Sequence, residues 1–160
     1  MSIVAWDGQF LAADRLAVSR GCARRVPKIC TSVDMSTGKQ VVAAYCGTQS
    51  RGLVLRQWFE MGAERKEWPP LLDQEDWTSL IVIFPEHTCY VFEESPTKLL
   101  IAEPFWAWGS GRDYALGAMA RGANAIEAVR IASRFDVYCG GGVDAYWRED
   151  DVWKFVNTKD

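Results

Sequence analysis

Residues 2–14 read SIVAWDGQFLAAD, and this stretch decides the fold. Ser2 to Trp6 is short and β-leaning, Asp7-Gly8 is a two-residue turn signal, and Gln9 to Ala13 resumes an apolar run that stops at Asp14. The spacing predicts a hairpin that starts with the first residues of the chain.

Working outward, Arg25 to Thr31 and Gln40 to Cys46 form a second candidate pair across the polar turn Asp34-Met35-Ser36-Thr37-Gly38. The two pairs are expected to share one sheet. Leu53, Leu55, Trp58, Phe59 and Ala63 recur at helical spacing and predict an amphipathic helix over Gln49 to Glu64. Arg65 to Trp77, with Pro69-Pro70 and the run Asp73-Gln74-Glu75-Asp76, reads as a surface connection. Leu80 to Phe84, Cys89 to Phe92 and Lys98 to Ala102 are strand candidates for a second sheet. Gly109-Ser110-Gly111 opens a helix through about Arg121, and Asn124 opens another through about Arg134, with Ile126, Val129 and Ile131 on its apolar positions. Asp136 to Cys139, Val143 to Trp147 and Val152 to Val156 read as strand-like pieces around Gly140-Gly141-Gly142. This order predicts an α+β fold. Two antiparallel sheets stacked between helices make it a four-layer αββα sandwich, which on pattern alone is one of several α+β arrangements.

Composition narrows the function. A chain of 160 residues, 49% hydrophobic, is expected to be one domain over 1–160 with a real core. With 18 Lys plus Arg against 21 Asp plus Glu, it has no excess positive field to attract nucleic acid. Apolar runs such as Leu80 to Phe84 fall far short of the roughly 20 residues a membrane helix needs. The start MSIVAWDGQF lacks a secretion signal, so the expected location is the cytoplasm. Cys22, Cys30, Cys46, Cys89 and Cys139 are odd in number, contain no CxxC pair, and read as reduced thiols. His87 is the single histidine, which leaves a Ser/His/Asp triad or a histidine metal site without partners. The glycine-rich pieces lack a phosphate-binding fingerprint, so no cofactor is expected. The eight tryptophans are expected in the core or at subunit contacts.

The ordered set MSIVAWDG…LAAD, VPKI, AAYCG, WGSGRDYALGAM and FDVYCGGGVD, over about Ser2 to Asp144, resembles the proteasome β-subunit and HslV class of N-terminal-nucleophile hydrolases. It is most similar to the short bacterial and phage-type proteasome homologues. The resemblance implies that Ser2, once Met1 is removed, attacks a carbonyl while its own α-amine, through a water, handles the proton. Serine stands where the family usually carries threonine. Asp14 matches the acid beside the nucleophile, and Lys28 matches the lysine that this acid holds. A shifted register puts Arg25 in the lysine position instead, and a guanidinium there implies little or no activity.

The resemblance further implies that Gly47 supplies the oxyanion-hole N–H and that Tyr45 lines the pocket for the substrate side chain before the cut. Ser110 in the Gly-Ser-Gly element is placed near the α-amine of Ser2; read without the family, it is an N-cap. Asp136 and Cys139 match an Asp-x-x-Ser-Gly-Gly element, with Cys139 where the family has serine. A thiol is the weaker donor, which loosens that network. Expected partners are a peptide or unfolded protein substrate, further copies of the chain in a homo-oligomer with a ring as one form, and an ATPase unfoldase of the kind that serves ring-type relatives. The alternative is a scaffold subunit that kept the fold and lost catalysis, and a third reading is an amidase for a small molecule.

Overall fold

The computed structural model describes residues 2–70, 77–150 and 152–158. The chain runs β1 (Ile3–Trp6), β2 (Phe10–Asp14), β3 (Leu16–Ser19), β4 (Cys22–Arg25), β5 (Ile29–Val33), β6 (Gln40–Cys46) and α1 (Gln49–Glu60). After a short 3-10 turn at Arg65–Glu67 come β7 (Ser79–Ile83), β8 (Cys89–Phe92), β9 (Leu99–Ile101) and β10 (Trp106–Gly109). Helices α2 (Arg112–Ala120) and α3 (Ala125–Phe135) precede β11 (Val143–Glu149) and β12 (Val152–Val156).

Side-chain alternation sorts the strands into two inner layers. In β1, Ile3 and Ala5 pack toward α2 and α3, while Val4 and Trp6 face the opposite sheet. In β6, Val42, Ala44 and Cys46 join that same middle interior, and Val41 and Ala43 face α1 with Leu55, Trp58 and Phe59. Three apolar interiors between four layers give the αββα sandwich. Because both faces of each sheet are covered, the central strands are apolar at nearly every position, as in SLIVI of β7, whose five residues are all buried. Full burial of a side chain such as Leu11 or Ile81 contributes about 1.5–3 kcal/mol.

The sheet orders are β10-β1-β2-β11-β12 and β5-β6-β7-β8-β9, with β3-β4 a separate two-stranded ribbon. This corrects the expectation that the first two strand pairs share a sheet. β1 and β2 lie in one, while β5 and β6 lie in the other with β7 to β9. The stretch expected as one strand from Arg25 also divides. Arg25 ends β4, Pro27 has no N–H to give a ladder, and β5 begins only at Ile29.

Three further boundaries move. Helix α1 stops at Glu60, where the N–H groups of Gly62 and Ala63 turn back onto the carbonyls of Phe59 (3.0 Å) and Trp58 (3.1 Å). Trp106–Gly109 is a strand paired with β1, so α2 begins later, at Arg112 with Gly111 as its cap. Asp136 to Cys139 is a turn, closed by the Cys139 N–H on the Asp136 carbonyl at 3.1 Å. The run 73–76 lies outside the described residues.

Asp7 does more than turn the first hairpin. One carboxylate oxygen accepts the N–H groups of Gln9 (2.8 Å) and Phe10 (2.7 Å), and the other accepts the Ala125 N–H at 2.7 Å. The hairpin is thereby tied to the start of α3, which carries its own capping box between Asn124 and Glu127. No helix among the described residues is long and apolar enough to cross a membrane. His87 sits in an exposed turn, with its ring near Trp6 and Trp153.

Candidate active site

Ser2 lies just ahead of β1 and is 1% exposed. Two glycines allow its close surroundings. Gly109, at the end of β10, has φ +103°, and a Cβ there would stand 2.0 Å from the Ser2 carbonyl oxygen. Gly47, between β6 and α1, has φ +108°, and a Cβ there would meet the Trp77 carbonyl oxygen at 2.5 Å and Thr78 Oγ1 at 2.7 Å. Its N–H donates to the Ser2 hydroxyl oxygen, a long hydrogen bond of 3.4 Å.

Beneath Ser2 is a buried ion pair. Lys28 Nζ lies 2.6 Å from Asp14 Oδ1, with side-chain exposures of 4% and 0%. The Asp14 carboxylate is otherwise saturated by backbone. Oδ1 also accepts the Ile3 N–H (3.0 Å), and Oδ2 accepts those of Leu16 (3.1 Å) and Gly140 (3.0 Å). Such a set of donors offsets the cost of taking a carboxylate out of water. The structure therefore brings Lys28, and not Arg25, to Asp14; Arg25 is exposed at the end of the ribbon.

On the other side, Ser110 Oγ lies 3.4 Å from the Ser2 carbonyl oxygen and 3.7 Å from Cys139 Sγ. Ser110 does not cap α2, since no side-chain bond closes that helix start. Cys139 Sγ in turn donates to Asp136 Oδ2 at 3.3 Å. Burial first, then the charge of Asp14, pushes the Cys139 thiol up to about 12, so it stays protonated and keeps its donor. Burial alone would raise the Asp136 carboxyl, but hydrogen bonds from Ser110, the Tyr138 N–H and Cys139 leave it below its ordinary 3.8. Folding thus favours the charged Asp136. That contribution is complete above the ordinary carboxylate pKa and is lost as pH falls through the lower folded value.

Burial likewise raises Cys46 to about 11 and Cys89 to about 12, and it raises Cys30, whereas Cys22 is exposed on the ribbon. Brief iodoacetamide treatment at pH 8 is therefore expected to add one alkyl group to the native protein, at Cys22, and five after unfolding in urea. Peptide mapping that finds rapid labelling of Cys139 would contradict the buried thiol.

A cavity of about 530 Å³ opens against Lys28, Tyr45 and Gly47, walled by the β3-β4 ribbon and the first turn of α1. Tyr45 lines it with a ring pressed on α1 at Gly52, where a Cβ would come within 2.2 Å of Cδ2. Its hydroxyl donates to the Pro27 carbonyl at 3.4 Å.

Three residues at the site escaped the sequence reading. Arg15 pairs with Asp144 through Nε at 2.8 Å and Nη2 at 2.6 Å, and its N–H is shared by the carbonyls of Gly140 (2.9 Å) and Gly142 (3.1 Å). This holds the glycine loop against Asp14. Thr78 Oγ1 accepts the Thr48 N–H at 3.0 Å and fixes the chain beside Gly47. Partners so distant in sequence leave no local pattern; the only signal was an arginine following the buried acid.

No family model matches the chain, and no curated protein matches it. Among solved structures it is similar to Thiobacillus denitrificans BPH in complex with epoxomicin, with a TM-score of 0.64 and 20% identity over 92% of this chain and 97% of that one. It is also similar to eukaryotic HslV from Trypanosoma brucei, with a TM-score of 0.62 and 20% identity over 90% of this chain and 96% of that one. At this identity the likeness shows the fold, an α+β sandwich of the HslV type.

Proposed function

We propose that this chain is a proteasome-type peptide-bond hydrolase whose nucleophile is Ser2, acting in a mature form that begins at Ser2. The observation that carries the reading is the convergence of the Gly47 N–H on the Ser2 hydroxyl, next to Ile3, whose N–H bonds the buried Lys28–Asp14 pair. Ser2 Oγ attacks the substrate carbonyl, and its proton passes through a water to the free α-amine of Ser2. The Gly47 N–H donates to the oxyanion as negative charge develops there. Lys28, held by Asp14, adds positive potential beside the attacking oxygen. Collapse breaks the C–N bond, the proton goes to the leaving amine, and water then hydrolyses the ester on Ser2. Ser110 positions the Ser2 main chain, and Asp136 with Cys139 supports Ser110.

Copies of the chain are proposed to assemble, using exposed apolar side chains such as Val54, Met61, Tyr114, Phe135 and Val137. Five free cysteines fit a reducing compartment such as the cytoplasm.

Intact mass before and after epoxomicin tests the proposal. The expected result is a mass lacking Met1 and one adduct, mapped to Ser2 and absent from Ser2→Ala. A retained Met1, or a free Ser2 that takes no adduct, overturns it and leaves a non-catalytic scaffold as the reading. Native mass spectrometry of the same sample checks assembly, for which a monomer is the contrary result.

A further inference from the structure

The cavity beside Ser2 has an uneven charge. From Leu16 to Lys28 the chain carries Arg20, Arg24, Arg25 and Lys28 and no Asp or Glu, within a protein whose net charge is -3. Among the described residues that line the cavity, none is acidic, and its two cations are Arg24 and Lys28. Lys28 is taken up by Asp14. Arg24, exposed on β4, places Nη2 3.0 Å from Gln49 Oε1, a neutral partner. The cavity also meets the first turn of α1 at Gln49 and Ser50, a helix start with no acidic residue and no side-chain cap. The N-terminal end of a 12-residue helix adds positive potential to that of the guanidinium. Leu16, Val26 and Leu53 supply apolar wall for the methylene stem of a side chain entering from the Gly47 end.

We infer that this cavity selects an acidic residue immediately before the cleaved bond, with Arg24 as the specificity-determining cation that receives its carboxylate. The inference rests on the hydrolase reading above, since it assigns the side chain that the cavity takes when Ser2 is the nucleophile. A guanidinium offers a planar pair of N–H donors to a carboxylate, and a carboxylate replaces the single bond to the uncharged Gln49 amide with a pairing of opposite charges. Arg20 and Arg25 add a long-range field that draws anionic peptides toward the ribbon.

Three fluorogenic peptides differing only in Glu, Leu or Lys before the cut test this, with epoxomicin adduct formation measured in parallel. The expected kcat/KM favours Glu over both others by roughly tenfold to a hundredfold, the size of a charge-assisted hydrogen bond. Raising salt to about 0.5 M should shrink that ratio, because Arg24 is exposed and screened. Arg24→Glu should reverse the ratio toward Lys, and Arg24→Gln, which removes the charge without inverting it, should flatten it. A wild-type preference for Leu or Lys, or a Glu preference that survives both substitutions, overturns the inference while leaving the hydrolase reading intact. An adduct without cleavage of any peptide overturns the selectivity alone. Neither adduct nor cleavage removes both.

Discussion

Lys28→Met is expected to lower the unfolding free energy by about 3–5 kcal/mol, the cost of leaving one partner of a buried ion pair uncompensated. Asp14 is wholly buried, and without the ammonium its charge rests on three backbone N–H groups, those of Ile3, Leu16 and Gly140. Urea denaturation reads the effect directly: with a slope of about 1–3 kcal/mol per molar, the midpoint should fall by on the order of 2 M. The double variant Asp14→Asn, Lys28→Met removes both charges and should recover part of that loss. Such recovery is the signature of an unpaired charge as distinct from a lost contact. In the hydrolase reading the single variant also loses most of its rate, because it removes the buried cation that Asp14 holds at the site. A single variant within about 1 kcal/mol of the parent would mean that Asp14 is reached by water in the fold, contrary to its sealed position.

Gly47→Ala is expected to reduce kcat by on the order of 10²–10³, comparable to losing one oxyanion donor, with little change in KM. The added Cβ must displace the Trp77 carbonyl or Thr78, and it sits at a positive φ that alanine resists. Either response turns the amide away from Ser2. Stability should drop by only about 1–3 kcal/mol, so a folded variant with a dead site is the expected outcome. Gly117 in α2 is the control. A Cβ there meets nothing within 4 Å, and Gly117→Ala should stabilise the helix by about 0.5–1 kcal/mol. If Gly47→Ala kept full activity toward peptides and epoxomicin, the oxyanion assignment would have to move to another donor.

The parts of the fold that were legible in the sequence are those with local causes. Asp7-Gly8 announced the first hairpin, and Asn124 marked the start of α3 within one residue. The partition of strands between sheets was not legible. Both faces of β1, β2, β6 and β7 are buried, so alternation shows that a strand exists without saying which neighbour it takes. The ribbon β3-β4 went unseen for the opposite reason. Its residues are half-buried or exposed, with no stripe to detect. At the candidate site, Ser2, Gly47, Ser110 and Cys139 were named through resemblance, and which of Lys28 and Arg25 meets Asp14 needed the fold. Pro27 breaks the strand there, so counting residues could not show which cation turns inward. Arg15 with Asp144 had no sequence signal beyond proximity to Asp14.

Asp14 gathers its donors from Ile3, Leu16, Lys28 and Gly140, positions spread across almost the whole chain. During synthesis the first three emerge early and the last only near the end. Until residue 140 leaves the ribosome, the carboxylate lacks the Gly140 N–H and the bed of Ser2 is incomplete. Contacts of such long range form late, after the local hairpins and helices. In the hydrolase reading, a nascent chain without Gly140 has an incomplete site and does not cut its unfinished siblings.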